Sequence, residues 1–221
     1  MNKRIIILIA LLLGLSTEGV QAQWAVGMKG GVNTTTVERS NAGRIDESYT
    51  SLRGMDLGIQ GHYAFNDWLA VRVDVDYMTR SHRMDRNLTL VNSLFMEYTN
   101  SYLMLPVTAD FSFGGRKLRG HLLCGGFAGY WLTAHRSGVT FGITGFLDVD
   151  EDVEFNDETQ RLTGGLAAGV SLTYDINSWL GVNLDALYYY DLVSYRKGYE
   201  HLNDPRYLST LTFDMGVYYK F

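Results

Sequence analysis

Residues 69–77 read Leu69-Ala70-Val71-Arg72-Val73-Asp74-Val75-Asp76-Tyr77. Every odd position in this stretch is apolar, and three of the four even positions are charged. Because successive side chains of a β-strand point to opposite faces, this alternation predicts a strand with one apolar face and one polar face.

The same alternation recurs along the chain, so that eight strands are expected in total. The other seven segments are Trp24–Asn33, Met55–Phe65, Leu103–Phe111, Leu118–Leu132, Leu162–Tyr174, Leu180–Tyr190 and Tyr207–Phe221. The segment from Leu118 to Leu132 is the least regular, since Leu123, Phe127 and Trp131 fall out of phase. After residue 22 the chain has no apolar run near the roughly 20 residues that a membrane-spanning helix needs. Any membrane span is therefore expected to consist of strands, which cross a bilayer as a closed barrel.

The connections between these segments alternate between short and long. Three are tight polar turns, at 66–67, 114–117 and 175–178, and four are long and polar, at about 36–52, 79–97, 134–160 and 193–206. An even strand number with short periplasmic turns and long external loops is typical of bacterial outer-membrane barrels. The prediction is an all-β fold, an eight-stranded antiparallel up-and-down transmembrane β-barrel in the cell outer membrane. The alternative is a soluble lipocalin-like barrel, which has eight strands but turns its apolar face inward.

Charged side chains lie on one face of the predicted strands, and the opposite face of the same spans carries none. The interior set would comprise Lys29, Asp56, His62, Arg72, Asp74, Asp76, Asp110, Arg119, His121, Asp185, Asp214 and Lys220. An eight-stranded barrel is just wide enough for side chains to fill it, so we predict a filled lumen rather than a path for protons or ions.

A buried charge left alone costs several kcal/mol, so the interior charges are expected to pair. We predict a structural lumen charge network of Asp56, His62, Arg72, Asp74, Asp76, Asp110, Arg119, His121, Asp185 and Asp214. Within it, Arg72 and Arg119 would pair with the carboxylates. We expect neither a cofactor nor a metal in this network.

Aromatic residues concentrate near the strand ends, as expected for the girdles that mark the two membrane interfaces. They are Trp24, Tyr63, Phe65, Tyr77, Phe111, Phe113, Tyr130, Tyr174, Tyr188, Tyr190, Tyr207, Tyr219 and Phe221. The last segment is apolar at every second position up to the terminal Phe221, which resembles the signal read by the outer-membrane assembly machinery. That machinery is therefore an expected partner, together with outer-membrane lipid and lipopolysaccharide.

The first 22 residues are expected to be a signal peptide, followed by one barrel domain over 23–221. Lys3 and Arg4 form a positive start, an apolar stretch follows, and Ala22 supplies a small residue for cleavage. The net charge of -5 gives no basic footprint for nucleic acid, which is not an expected partner. The single Cys124 excludes an intramolecular disulfide.

Three segments resemble the PorT-type outer-membrane β-barrel family, the Bacteroidetes type of outer-membrane β-barrel domain. They are Gly27-Met28-Lys29-Gly30-Gly31-Val32-Asn33, Tyr102-Leu103-Met104-Leu105-Pro106-Val107, and Gly125 to Tyr130. The resemblance follows the mature chain in order, although Gly126-Phe127 stands where Gly-Pro is expected. It implies architecture and location, and a link of some members to protein secretion or gliding, but it brings no catalytic residues.

The long connections hold two candidate sites. Residues 148–158 contain seven carboxylates in eleven positions, and oxygen ligands at that density can bind Ca²⁺, although the EF-hand pattern fails. A solvated external loop is the plainer interpretation. His82, His135 and His201 lie beside Ser81, Ser137 and Asp204, but a Ser/His/Asp triad is recognised by geometry, and these residues show no spacing motif.

The sequence therefore predicts a non-enzymatic integral outer-membrane protein that acts through its external loops in binding or envelope organisation. Other envelope proteins are possible partners of these loops. An accessory of a protein-secretion apparatus is one alternative. A lipid-modifying or hydrolytic outer-membrane enzyme is the other.

Overall fold

The computed structural model describes residues 23–39, 47–88, 91–142, 145–155, 159–194 and 206–221. The predicted signal peptide, together with His201 and Asp204, lies outside the described residues. The strands are β1 (Gln23–Arg39), β2 (Glu47–Ala64), β3 (Leu69–Leu88), β4 (Val91–Gly114), β5 (Leu118–Gly142), β6 (Gly145–Asp152), β7 (Leu162–Asp175), β8 (Leu180–Asp191) and β9 (Arg206–Lys220). In the described part of the chain, no helix is long and apolar enough to cross a membrane.

Eight of these strands form a closed antiparallel ring, which confirms the predicted barrel. Each strand of the ring pairs with the next ring strand along the chain, and β6 lies outside the ring, paired with β5. The ring closes between the first and last strands, where Gly31 lies opposite Asp214 of β9 and opposite Asp56 of β2. Closure leaves no free strand edge along the ring, so the backbone groups find their partners within it.

The apolar residues of the alternating pattern point out of the ring, and the polar residues point into it. The outward side chains of β3 include Val73 and Val75, whereas Arg72, Asp74 and Asp76 are buried inside. The exposed apolar belt continues around the ring through Val26, Met28, Val32, Met55, Leu57, Ile59, Leu103, Leu105, Val107, Leu122, Leu166, Val170, Leu172, Leu184, Phe213, Met215 and Val217. A lipocalin-like barrel has the reverse orientation, so the structure excludes that alternative.

Aromatic side chains border this belt where the girdles were predicted. At the end that holds the short turns, the rings of Trp24 and Tyr63 lie 4.7 Å apart and those of Tyr219 and Phe221 lie 5.1 Å apart. Nine residues at about 3.3 Å each, tilted by about 40°, cover about 23 Å of height, close to the apolar band of outer-membrane barrels.

Two of the short turns are built in the same way. The side-chain oxygen of Asn66 accepts hydrogen bonds from the amides of Trp68 and Leu69, at 3.0 and 2.7 Å. Asn177 does the same for Trp179 and Leu180, at 3.0 and 2.7 Å. Asparagine favours such turns because its side chain mimics a backbone carbonyl.

The opposite end differs from the prediction. Long connections were expected at 36–52, 79–97 and 134–160, but paired strands fill much of each, and a ninth strand, β6, forms a hairpin with β5. Residues 148–152 of the predicted acidic loop belong to that strand. The alternation of apolar and polar residues does not reveal these extensions. Beyond the membrane the outer face of a strand contacts no hydrocarbon, so its residues need not be apolar. We call this hairpin, residues 135–152, the external hairpin.

Candidate functional site

The middle of the lumen contains a lysine held between two carboxylates. Nζ of Lys29 lies 2.9 Å from Oδ2 of Asp74 and 2.9 Å from Oδ2 of Asp76. All three side chains are almost fully shielded from solvent. Lys29 lies opposite Gly58 in the ladder, and a Cβ at Gly58 would overlap the Asp76 carboxylate. The glycine therefore leaves the space in which this ion pair forms.

Arg72 extends the same cluster to the far wall of the barrel. Its Nε donates to Asp74 at 2.9 Å, and its Nη2 donates to Oδ2 of Asp185 at 2.6 Å. Ser171 and Asn183 donate to the same Asp185 carboxylate, at 2.5 and 2.9 Å. The predicted pairing of Arg72 with buried carboxylates is thus present in the geometry, and it joins strands on opposite sides of the lumen.

Asp56 and Asp214 lie beside this cluster, but neither forms an ion pair with Lys29 or Arg72. Both are buried, and their carboxylate oxygens have no hydrogen-bond partner among the described residues. They lie on either side of Gly31 in the ladder, where a Cβ would overlap the Asp214 carboxylate. Three carboxylates therefore share the positive charges of Lys29 and Arg72, and two more lie beside them.

The remaining predicted residues form a separate cluster nearer the short turns. Nε2 of His62 and Nδ1 of His121 lie 2.9 and 2.8 Å from the two oxygens of Asp110. A carboxylate accepts hydrogen bonds, so each imidazole nitrogen donates to it. The other ring nitrogen of His121 lies 2.9 Å from the Thr173 hydroxyl.

Arg119 does not join the network as predicted. Its Nε donates to the backbone carbonyl of Gly115 at 3.3 Å, and the side chain is half-buried beside the turn. Among the described residues it has no carboxylate within ion-pair distance. Arg119 sits one residue after the start of β5, and its side chain bonds to the adjoining turn.

The ion pair nearest the outer end lies outside the strands that the sequence pattern predicts. Nη1 of Arg80 lies 3.0 Å from both oxygens of Asp191, and Thr163 donates to the same carboxylate at 2.9 Å. The guanidinium also lies 5.2 Å from the ring centre of Tyr102 and 5.7 Å from that of Phe127. Arg80 fell in a predicted loop, so its inward position could have been found by extending the even-numbered phase of β3 beyond Tyr77.

Around the Arg80–Asp191 pair, the outer half of the lumen is filled mainly by apolar side chains. The buried cluster consists of Val37, Met78, Tyr102, Met104, Leu123, Phe127, Trp131, Ala134, Ala167, Leu187, Tyr189 and Leu208. Tyr102 and Trp131 stack with ring centres 5.7 Å apart. The residues of β5 that seemed out of phase thus point inward, and they form what we call the apolar plug.

The histidine and serine candidates of the long connections are not brought together. His82 is buried, with its ring stacked 5.3 Å from that of Tyr98, whereas His135 is part of the external hairpin. Its two ring nitrogens lie 2.8 and 2.9 Å from Asp150 and Asp152. Over the described ranges, no group of three or more His, Cys, Asp or Glu side chains is arranged to hold a metal ion.

We predict that Arg80→Leu lowers the free energy of unfolding by about 3–5 kcal/mol, because Asp191 is left buried and uncompensated. The double variant Arg80→Leu/Asp191→Leu should recover most of that loss. Arg83→Leu is the matched control on the same strand, because Arg83 is partly exposed and pairs with Asp85, and it should cost at most about 1 kcal/mol. Urea unfolding in lipid vesicles measures all three, and equal losses for Arg80→Leu and Arg83→Leu would contradict the assignment.

A pH effect is expected in the external hairpin. The hydrogen bonds that His135 donates to Asp152 and to Asp150 raise the pKa of His135 above its ordinary value. A raised pKa in the folded state means that the stabilisation is complete below the ordinary pKa and disappears as pH rises through the folded pKa. Histidine NMR titration should show a midpoint above that of a free imidazole, and Asp152→Asn should lower it. An identical midpoint in the variant counts against the pairing.

Comparison with known proteins agrees with this architecture. The outer-membrane protein OprG of Pseudomonas aeruginosa is 13% identical over 89% of this chain and 95% of its own, with a TM-score of 0.52. Neisserial surface protein A is 15% identical over 92% and 100%, with a TM-score of 0.45, and Ail of Yersinia pestis is 15% identical over 91% and 100%, with 0.43. No curated protein sequence matches the chain. The model of the outer membrane protein beta-barrel domain matches residues 19–194, and the chain belongs to that family of outer-membrane proteins.

Proposed function

We propose that this protein is a sealed barrel that acts by binding an envelope partner at its external end. The observation that carries the proposal is the apolar plug. It fills the outer half of the lumen with aliphatic and aromatic side chains, and the external hairpin continues β5 past it. A sealed lumen argues against transport as the activity, since an eight-stranded barrel has no spare interior width.

The external hairpin has the chemistry of a recognition surface. Phe146 and Leu147 near its tip are 56% and 50% exposed. Behind them, ion pairs hold the two strands together: Nε of Arg136 donates to Glu151 at 2.7 Å, and His135 lies between two aspartates. Adjacent exposed apolar side chains are a common feature of interaction surfaces, and we take the partner to be a protein. Such a hairpin is also largely preformed, which reduces the entropic cost of binding.

The contacts made by the acidic residues of the hairpin argue against the hypothesis that residues 148–158 bind Ca²⁺. In the hairpin, Asp150 and Asp152 already contact the two ring nitrogens of His135, and Glu151 pairs with Arg136. These pairs favour a bracing role for the three carboxylates over a Ca²⁺ site. We therefore propose that the tip of the external hairpin binds the partner and that its acidic residues stabilise the hairpin.

We also propose that the chain belongs to the PorT-type branch of its family. The support is the sequence of two strands, Gly27–Asn33 in β1 and Tyr102–Val107 in β4.

A photocrosslinking amino acid at Leu147 tests the proposal in cells. We expect a discrete protein adduct, identified by mass spectrometry, that is lost when Phe146→Ser is added. The matched control carries the same probe at Leu122, which is as exposed as Leu147 but belongs to the lipid-facing belt, and it should label lipid. Labelling at Leu147 that yields lipopolysaccharide alone, or the same products as Leu122, would contradict the proposed protein partner. An adduct with a secretion component would favour the accessory role.

A further inference from the structure

A cavity of about 110 Å³ lies at the end of the lumen that holds the short turns, away from the proposed recognition surface. Its charged lining comprises Arg72, Arg119 and Lys220, with His62, His121 and Asp110. An engineered cavity of about 150 Å³ accommodates benzene. The volume therefore suits a small solute such as a tetrahedral oxyanion.

The charge of the lining is positive. Three side chains are permanent cations, and the one lining carboxylate, Asp110, already accepts hydrogen bonds from both imidazoles. Two of the cations have acidic partners outside the cavity, since Arg72 pairs with Asp74 and Asp185 and Lys220 lies 2.6 Å from Asp175. Arg119 has no carboxylate partner among the described residues. Its Nε donates to the backbone carbonyl of Gly115 rather than to an acidic side chain.

Neutral hydrogen-bonding groups complete the wall. Gln60, Ser171, Thr173 and Asn183 line the cavity beside the charged residues, together with Tyr218. Arginine suits an oxyanion because its planar guanidinium presents several N–H donors in a fixed fork. Deeper in the lumen the charge reverses, because Asp56, Asp74, Asp76, Asp185 and Asp214 outnumber Lys29, even with Arg72 at the boundary counted in this layer. An anion that enters from this end is therefore attracted to the cavity and repelled by the next layer.

We infer that this cavity is a periplasm-facing binding site for a phosphate-type oxyanion, anchored by Arg119. The inference goes beyond the proposed function, because the site lies at the opposite end of the barrel and needs no external partner. The same chemistry is offered by free phosphate and by the phosphate of a lipid headgroup in the periplasmic leaflet. Both ligands present oxygens of the kind that a guanidinium binds in bidentate fashion.

Calorimetric titration of the folded full-length barrel in dodecyl maltoside, with inorganic phosphate as the probe, tests the inference. We expect saturable binding that weakens about tenfold or more in Arg119→Gln, since a charge-assisted hydrogen bond contributes more than a neutral one. Arg116→Gln is the matched control, because Arg116 is exposed in the same turn and does not line the cavity. It should bind phosphate as the unmodified protein does.

The imidazole NMR signals of His62 and His121 provide a second readout, because both rings line the cavity. They should shift on phosphate addition and stay unchanged on addition of chloride at equal ionic strength. Should Arg119→Gln fail to fold, Lys220→Gln replaces it, with a smaller expected loss because Lys220 already pairs with Asp175. Dihexanoyl phosphatidic acid, titrated in parallel, distinguishes the sources: tighter binding than phosphate indicates a lipid headgroup, and equal binding indicates a free anion. Absence of saturable binding, or equal affinity in both arginine variants, overturns the site.

Discussion

The structure depends on the requirement that every backbone N–H and C=O inside hydrocarbon has a partner within the protein. Pairing of β1 with β9 meets this requirement by joining the two ends of the chain, with Lys29 opposite Gly216 and Gly31 opposite Asp214. Once the ring is closed, each strand has one face toward lipid and one toward a narrow lumen. The period-two pattern of the sequence follows from that division, and so does the concentration of charge in the interior.

The lumen divides into three layers that differ in chemistry. Nearest the short turns is a cavity with a positive lining, the middle is an acidic layer crossed by Lys29 and Arg72, and the outer half holds the Arg80–Asp191 pair within the apolar plug. Inward glycines such as Gly31 and Gly58 provide the space for the large polar side chains opposite them. This layering places the two candidate binding surfaces at opposite ends of a filled cylinder, so each can act without a continuous path between them.

The sequence predicts the membrane-embedded part of this protein well and the remainder poorly. Within hydrocarbon, Val73 and Arg72 must face opposite ways, so alternation reveals both strand and orientation. Beyond the membrane that constraint ends, so the external hairpin could not be recognised, and the inward position of Arg80 follows only if the even-numbered phase of β3 is extended past Tyr77. Pairings such as Arg80 with Asp191 join residues 111 positions apart, and they require the register of the closed ring. Arg119 is the opposite case. Its charge and its inward phase predicted a place in the charge network, but it lies beside a turn and bonds to the backbone there.

The central claim is that the apolar face contacts lipid, and the native Cys124 tests it directly. This residue is exposed on the outer face of β5, within the belt, and it is the sole cysteine of the sequence. A nitroxide attached to it in a reconstituted bilayer should be relaxed strongly by dissolved oxygen and weakly by a water-soluble nickel chelate. The same label at the inward neighbour, in Leu123→Cys/Cys124→Ala, should be shielded from both. A label on Cys124 that responds mainly to the nickel chelate would contradict the account.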